Sequence, residues 1–160
     1  MDPWALTADA LREPWRLWTG HLAHYGWAHA LANAVALAVP LVLLPARERW
    51  RSALALLALA PALGLAILPR LGAGAYRGAS GLACAIWALA GLHLAGRRES
   101  AAVGLLMLAG LGIKLAAEAA LGAGFLLRAE GWQTMPAAHF WGAALGLGWA
   151  LPGSLRRRPA

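Results

Sequence analysis

An all-α membrane bundle is the fold this sequence predicts, and three observations lead to it. Of the 160 residues, 61% are apolar and only 13% charged, with a mean hydropathy of +0.58; a soluble domain is nearer half apolar and a quarter charged. The apolar residues gather into five runs, 27–44, 52–69, 78–95, 101–121 and 136–151, at or near the roughly 20 residues a helix needs to cross the hydrocarbon. The arginines fall outside these runs rather than inside them, most of them between and after. The runs are continuous rather than alternating, which leaves helices as the element that satisfies every backbone group in lipid. No soluble domain of useful size fits between them, so 1–160 reads as one transmembrane domain.

The elements follow in chain order. Residues 1–20 hold Asp2, Asp9, Arg12, Glu13 and Arg16; they are too polar to cross and lack the basic start and apolar core of a secretory signal. The first and second runs contain Pro40 and Pro61, which are expected to kink them. The third opens on the turn Gly78-Ala79-Ser80-Gly81, and the fourth carries Lys114 and Glu118 four residues apart. The fifth is the shortest and is expected to extend into its flanks. Abundant Ala and Gly suit helices that approach closely in lipid.

Arginine placement orients the bundle. Arg47, Arg49 and Arg51, then Arg97 and Arg98, then Arg156, Arg157 and Arg158 mark cytoplasmic segments. Alternation then puts 1–26, 70–77 and 122–135 outside, with Trp4, Trp15, Trp18, Trp27 and Trp132 near the outer boundary. Nothing precedes the first run to export the amino terminus. Either the short arm translocates by itself or a span before Met1 is absent from this chain; the second is the favoured expectation.

The same pattern removes other classes. The net charge of +7 comes from arginines placed to orient helices toward an anionic surface, and no basic helix face marks a nucleic-acid site. Cys84 is the only cysteine, so no internal disulfide forms. His21, His24 and His29 lack a His-Glu-x-x-His spacing and a nearby carboxylate, so neither a metal nor a cofactor is expected.

What remains is a coincidence of depth. The first, third and fifth runs all begin on the outer side, and each begins with polar residues: His29 and Asn33, Ser80, and His139. At 1.5 Å per residue each lies within about 10 Å of its helix start. Polar groups at membrane depth face the bundle or a water-filled cavity. Gly78 and Gly81 allow a tight turn and leave amides at the helix start free to stabilise an oxyanion, although small-residue packing gives the same turn. Gly142, Ala143 and Gly146 share a face with His139 and would let its helix approach a neighbour closely; a packing histidine is the plainer alternative. His29 and Asn33, four apart, can both donate toward a developing negative oxygen or simply clasp two helices. Lys114 and Glu118 read as a structural ion pair, or as a group that positions a lid or substrate. The Gly-rich and aromatic loop 122–135 reads equally as a lid or an interfacial anchor. His93, near the inner end of its run, stands apart.

Residues 15–33, WRLWTGHLAHYGWAHALAN, resemble the signature of rhomboid intramembrane serine proteases, in which an arginine precedes His-x4-His-x3-Asn, here His24, His29 and Asn33. Gly78-Ala79-Ser80-Gly81 is similar to the rhomboid nucleophile turn, and Ala138-His139-x-x-Gly142-x-x-x-Gly146 to its base helix. The resemblance implies a rhomboid-like helical bundle, a Ser80–His139 dyad, and an oxyanion site from His29, Asn33 and the Ser80 amide. Thr19-Gly20-His21, the compact length and Lys114-x3-Glu118 are most similar to the rhombosortase branch. That likeness implies single-span membrane substrates bearing a C-terminal Gly-Gly, apolar helix and basic tail, and an active site facing the periplasm from a bacterial inner membrane. Two features depart from the family. Five spans are visible where six are usual, the first core helix being the absent one. Cys84 stands where an imidazole-stacking Tyr or His is frequent, and reads as a packing residue more readily than as a second nucleophile. No third acidic member is expected, because no carboxylate is foreseen at that depth. The rival reading is a catalytically silent rhomboid-like binder, or a small structural membrane protein.

Overall fold

A computed structural model of the chain describes residues 2–122 and 134–155, with side chains through Leu151. Its helices are α1 (Arg16–Thr19), α2 (Trp27–Leu43), α3 (Ala46–Ile67), α4 (Ser80–Ala95), α5 (Ala101–Leu121) and α6 (Pro136–Leu155). Short 3-10 turns occupy Ala8–Leu11, Leu68–Arg70 and Arg98–Ser100. No strand occurs among the described residues; Leu6 and Tyr76 form an isolated antiparallel bridge.

Helix α4 is the axis of the bundle. It is apolar on every side, and Leu82, Ala85, Ile86, Leu89 and Leu94 are all buried, as expected of a helix surrounded by others. Helices α2, α3, α5 and α6 pack around it. Helix α5 leaves Leu105, Leu106, Ile113 and Leu121 exposed, which suits a lipid-facing surface. Segments Ala46–Arg70 and Arg98–Leu121 are each long and apolar enough to cross a bilayer; Trp27–Leu43 and Ser80–Ala95 are apolar but shorter.

Glycine sets the closest approaches. A Cβ added to Gly142 would overlap the Gly81 carbonyl, and one on Gly146 would overlap that of Ala85. Helix α6 therefore lies on α4 backbone to backbone at the end where Ser80 and His139 sit. On the other side of α4, a Cβ on Gly104 would overlap the Gly91 carbonyl and the Ala95 amide. Small residues on facing stripes replace the hydrophobic drive that lipid removes.

The polar arm before α2 is part of the core. Leu6, Ala10 and Leu17 are buried against Leu59, Leu63 and Ile67 of α3. The Arg16 guanidinium donates to the carbonyls of Asp2 (3.2 Å) and Ala5 (2.8 Å) and pairs with Glu13. Asp2 pairs with Arg77 at 3.0 Å. Trp18 Nε1 donates to Leu57 O at 2.9 Å, and His21 Nε2 lies 3.0 Å from Ala60 O. The arm's charges thus fold its backbone and fasten it to the loop before α4.

Boundaries differ from the hydropathy runs for local reasons. Helix α3 begins at Ala46 rather than 52, because Arg47, Arg49 and Arg51 are good helix formers despite their charge. Arg49 also turns back to the α2 carboxyl end, meeting the carbonyls of Leu41, Val42 and Leu44 at 3.0–3.2 Å, a cation on unpaired helix carbonyls. Helix α4 begins at Ser80 rather than 78, because Gly78 holds φ +115°. Helix α6 runs to Leu155, and Pro40 and Pro61 sit inside continuous helices.

Candidate active site

The turn into α4 brings the polar layer together. Gly78 combines its left-handed φ with close neighbours: a Cβ there would sit 2.7 Å from His29 Cε1 and 3.5 Å from Asn33 Nδ2. No other residue fits both the backbone and the space. Gly78 N also donates to Gly20 O at 3.0 Å, tying the turn to the arm. Ser80 follows as the first residue of α4, with the unpaired amides of a helix start beside it.

His139, buried on the first turn of α6, reaches Ser80 across the glycine seam, with Nε2 2.9 Å from Ser80 Oγ. Its other nitrogen, Nδ1, lies 2.7 Å from Glu118 Oε2. Lys114 Nζ is 2.6 Å from Glu118 Oε1 and 3.1 Å from His139 Nδ1. This corrects the expectation that no carboxylate is available at this depth. Glu118 is buried and faces the histidine from α5. It does so because α5 packs along α4, bringing its C-terminal half level with the start of α6.

His29 and Asn33 stand opposite on α2. Tyr25 N–H donates to His29 Nδ1 at 3.3 Å, so a neutral His29 carries its hydrogen on Nε2, the atom directed at Gly78. The His29 ring is also stacked by Tyr25 at 5.4 Å, and the Arg77 guanidinium lies over the Tyr25 ring at 5.4 Å. Asn33 is buried and donates one amide hydrogen to His29 O at 2.9 Å, leaving the second for another acceptor. His24 packs edge-on against His29 at 5.1 Å and bonds Leu22 O through Nδ1 at 2.8 Å; it supports the His29 ring. His21 stands apart on the Ala60 carbonyl of α3, edge-on to Tyr76. Burial holds its pKa below the ordinary value, so it stays neutral.

A cavity of about 430 Å³ opens between these groups, bordered by His29, Asn33, Ser80, Lys114, Glu118 and His139. Its apolar wall includes Cys84, buried with Ala88, Leu111 and Ala143. Trp87 also lines it, its Nε1 donating to Ala36 O at 2.8 Å. Sequence reasoning missed Tyr76. Its buried hydroxyl lies beside Ser80 and Gly81, and burial raises its pKa, so it remains a hydrogen donor. The signal was its place four residues before the serine, in a loop with no periodicity to assign a direction. Of the loop 122–135 read as a lid, residues 123–133, Trp132 among them, lie outside the described residues; its last two, Thr134 and Met135, line the cavity.

A helical membrane protein whose largely apolar cavity carries a serine and histidines is the class these features define. The rhomboid domain family model matches residues 11–156, nearly the whole chain, and the chain belongs to the rhomboid family. Membership carries the family's general activity, that of an intramembrane serine protease. No curated protein matches the chain.

Proposed function

We propose that the chain is an endopeptidase that cuts single-span membrane proteins near the outer face of a bacterial inner membrane, with Ser80 as nucleophile and His139 as general base. The observation that carries this reading is the 2.9 Å contact between Ser80 Oγ and His139 Nε2 on a cavity between helices. Ser80 Oγ attacks the scissile carbonyl carbon while His139 Nε2 takes the hydroxyl proton. The resulting oxyanion is met by the Ser80 amide, His29 Nε2–H and the second Asn33 amide hydrogen, donors in place before the reaction starts. Collapse breaks the C–N bond, and the Nε2 proton leaves with the amine. Water then attacks the acyl-serine, giving its proton to His139 and releasing a carboxylate product and free serine.

The substrate is proposed to be a protein tail of Gly-Gly, apolar helix and basic residues. Gly-Gly supplies an extended, unobstructed peptide bond at the end of a helix, which matches an apolar cavity with a narrow polar centre. Cleavage of a single-span reporter carrying such a tail tests the reading. Ser80→Ala is expected to abolish it; cleavage that survives this substitution rejects the nucleophile. Cys84 does not favour a silent binder, since the cavity keeps both proposed reacting groups in contact.

A further inference from the structure

The described residues hold one buried carboxylate that a two-residue mechanism leaves without a role. Glu118 and His139 are 6% and 4% exposed, and their contact spans two helices rather than one. A 2.7 Å separation between Nδ1 and Oε2 accommodates one hydrogen between the two atoms. Lys114 occupies the other carboxylate oxygen at 2.6 Å, which favours the ionised form of Glu118. The hydrogen therefore belongs to Nδ1, and the lone pair of the neutral ring belongs to Nε2, the atom facing Ser80 Oγ.

Lys114 makes the choice of tautomer consequential. Its Nζ is 3.1 Å from Nδ1, so it is a competing donor for the same nitrogen. Donation from lysine would move the ring hydrogen to Nε2 and leave the Ser80 hydroxyl with no base. The carboxylate holds the shorter contact, and it also draws the ammonium to its own far oxygen. Without Glu118, both the ring orientation and the tautomer are released.

We infer that Glu118 is a positioning residue for His139, making the site a Ser80–His139–Glu118 relay braced by Lys114 rather than a dyad. The inference rests on the proposed Ser80–His139 chemistry. When His139 accepts the serine proton on Nε2, it retains its hydrogen on Nδ1 and becomes an imidazolium facing the carboxylate. Glu118 stabilises that charge and takes no proton itself. The imidazolium then gives the Nε2 proton to the leaving amine. Lys114 neutralises Glu118 while the ring is uncharged, so the carboxylate is never stranded at membrane depth.

The test is the rate at which an alkyl fluorophosphonate labels Ser80 in the full chain reconstituted in lipid, a readout that needs no knowledge of the substrate. Phosphonylation forms the Oγ–P bond, expels fluoride and sends the serine proton to His139, so it reports the same activation. Glu118→Gln keeps the shape of the side chain and removes its charge. It is expected to lower the maximal labelling rate by about 10²–10⁴ with the half-saturating probe concentration little changed. Glu118→Asp keeps the charge on a shorter stem and is expected to label at least about tenfold faster than Gln, where a purely structural contact would favour Gln. The paired change Lys114→Met with Glu118→Gln leaves no lone ion in the bundle and is expected to remain slow, which keeps the test valid if the single variant folds poorly. Labelling of Glu118→Gln within about threefold of the unaltered protein, or Gln outperforming Asp, overturns the relay while leaving Ser80 in place. Absence of label on Ser80 in the unaltered protein overturns the relay and the nucleophile together.

Discussion

Replacing Gly142 by Ala adds a single methyl group to the seam between α4 and α6. That methyl would lie 2.8 Å from the Gly81 carbonyl carbon and nearer still to its oxygen, whereas non-bonded carbons settle at about 3.5–4.0 Å. Neither helix can yield by turning a side chain, because both contacts are backbone, so the helices must part by about 1 Å. Gly81 is the neighbour of Ser80, and Gly142 is one turn beyond His139. The separation therefore falls on the 2.9 Å Ser80–His139 contact and carries it toward 4 Å, beyond hydrogen-bond range (about 3.2 Å). A misplacement of about 1 Å costs on the order of 10²-fold in rate, and overpacking of this kind costs about 1–3 kcal/mol of stability. The assay is turnover of the Gly-Gly-tailed reporter in lipid, with thermal unfolding measured beside it. Gly148→Ala is the control, since a Cβ there meets nothing within 4 Å. Gly142→Ala is expected to lose about 10² in turnover while still folding, and Gly148→Ala to be unchanged. Full activity in Gly142→Ala would refute the claim that glycine contact sets the reacting distance.

Further outcomes follow from the same geometry. His29→Ala and Asn33→Ala should each lower reporter turnover by about 10²–10³ if they meet the oxyanion; a loss confined to KM would assign them to binding instead. His21 gives the fold a pH dependence. Its folded pKa lies below the ordinary 6.5 because the ring is buried, so on acidification the unfolded chain takes the proton first. Its contribution is complete above that value and shrinks as pH falls below it, by up to about 1.4 kcal/mol per pH unit. Unfolding temperature should drop as pH falls below about 6.5, and His21→Phe should flatten that part of the slope; an unchanged slope would exclude His21 as its source.

The closeness of Ser80, His139, His29 and Asn33 was readable from the sequence because depth in a membrane is nearly a one-dimensional coordinate. Run starts and arginine positions placed all four in one layer, and the spacing of Gly142 and Gly146 indicated which face of α6 would meet a neighbour. What depth could not supply was rotation about each helix axis. The four-residue spacing of Lys114 and Glu118 revealed their mutual contact, but not that the pair turns toward His139 on another helix. The packing of the arm was not legible for a related reason. Asp2, Glu13 and Arg16 signal solvent by composition, yet their bonds to one another and to backbone carbonyls are what permit Leu6, Ala10 and Leu17 to enter the core. Tyr76 escaped notice because a short loop between apolar runs has no period from which to read a direction. The start of α3 was displaced because hydropathy stops at charged residues and helix formation does not.

Mapping the site of fluorophosphonate attachment by mass spectrometry, on protein in lipid, tests the central claim most directly. The account predicts the adduct on the peptide containing Ser80, and its loss in His139→Ala, since the hydroxyl then has no acceptor for its proton. An adduct on any other residue, or undiminished labelling of Ser80 once His139 is gone, would contradict it.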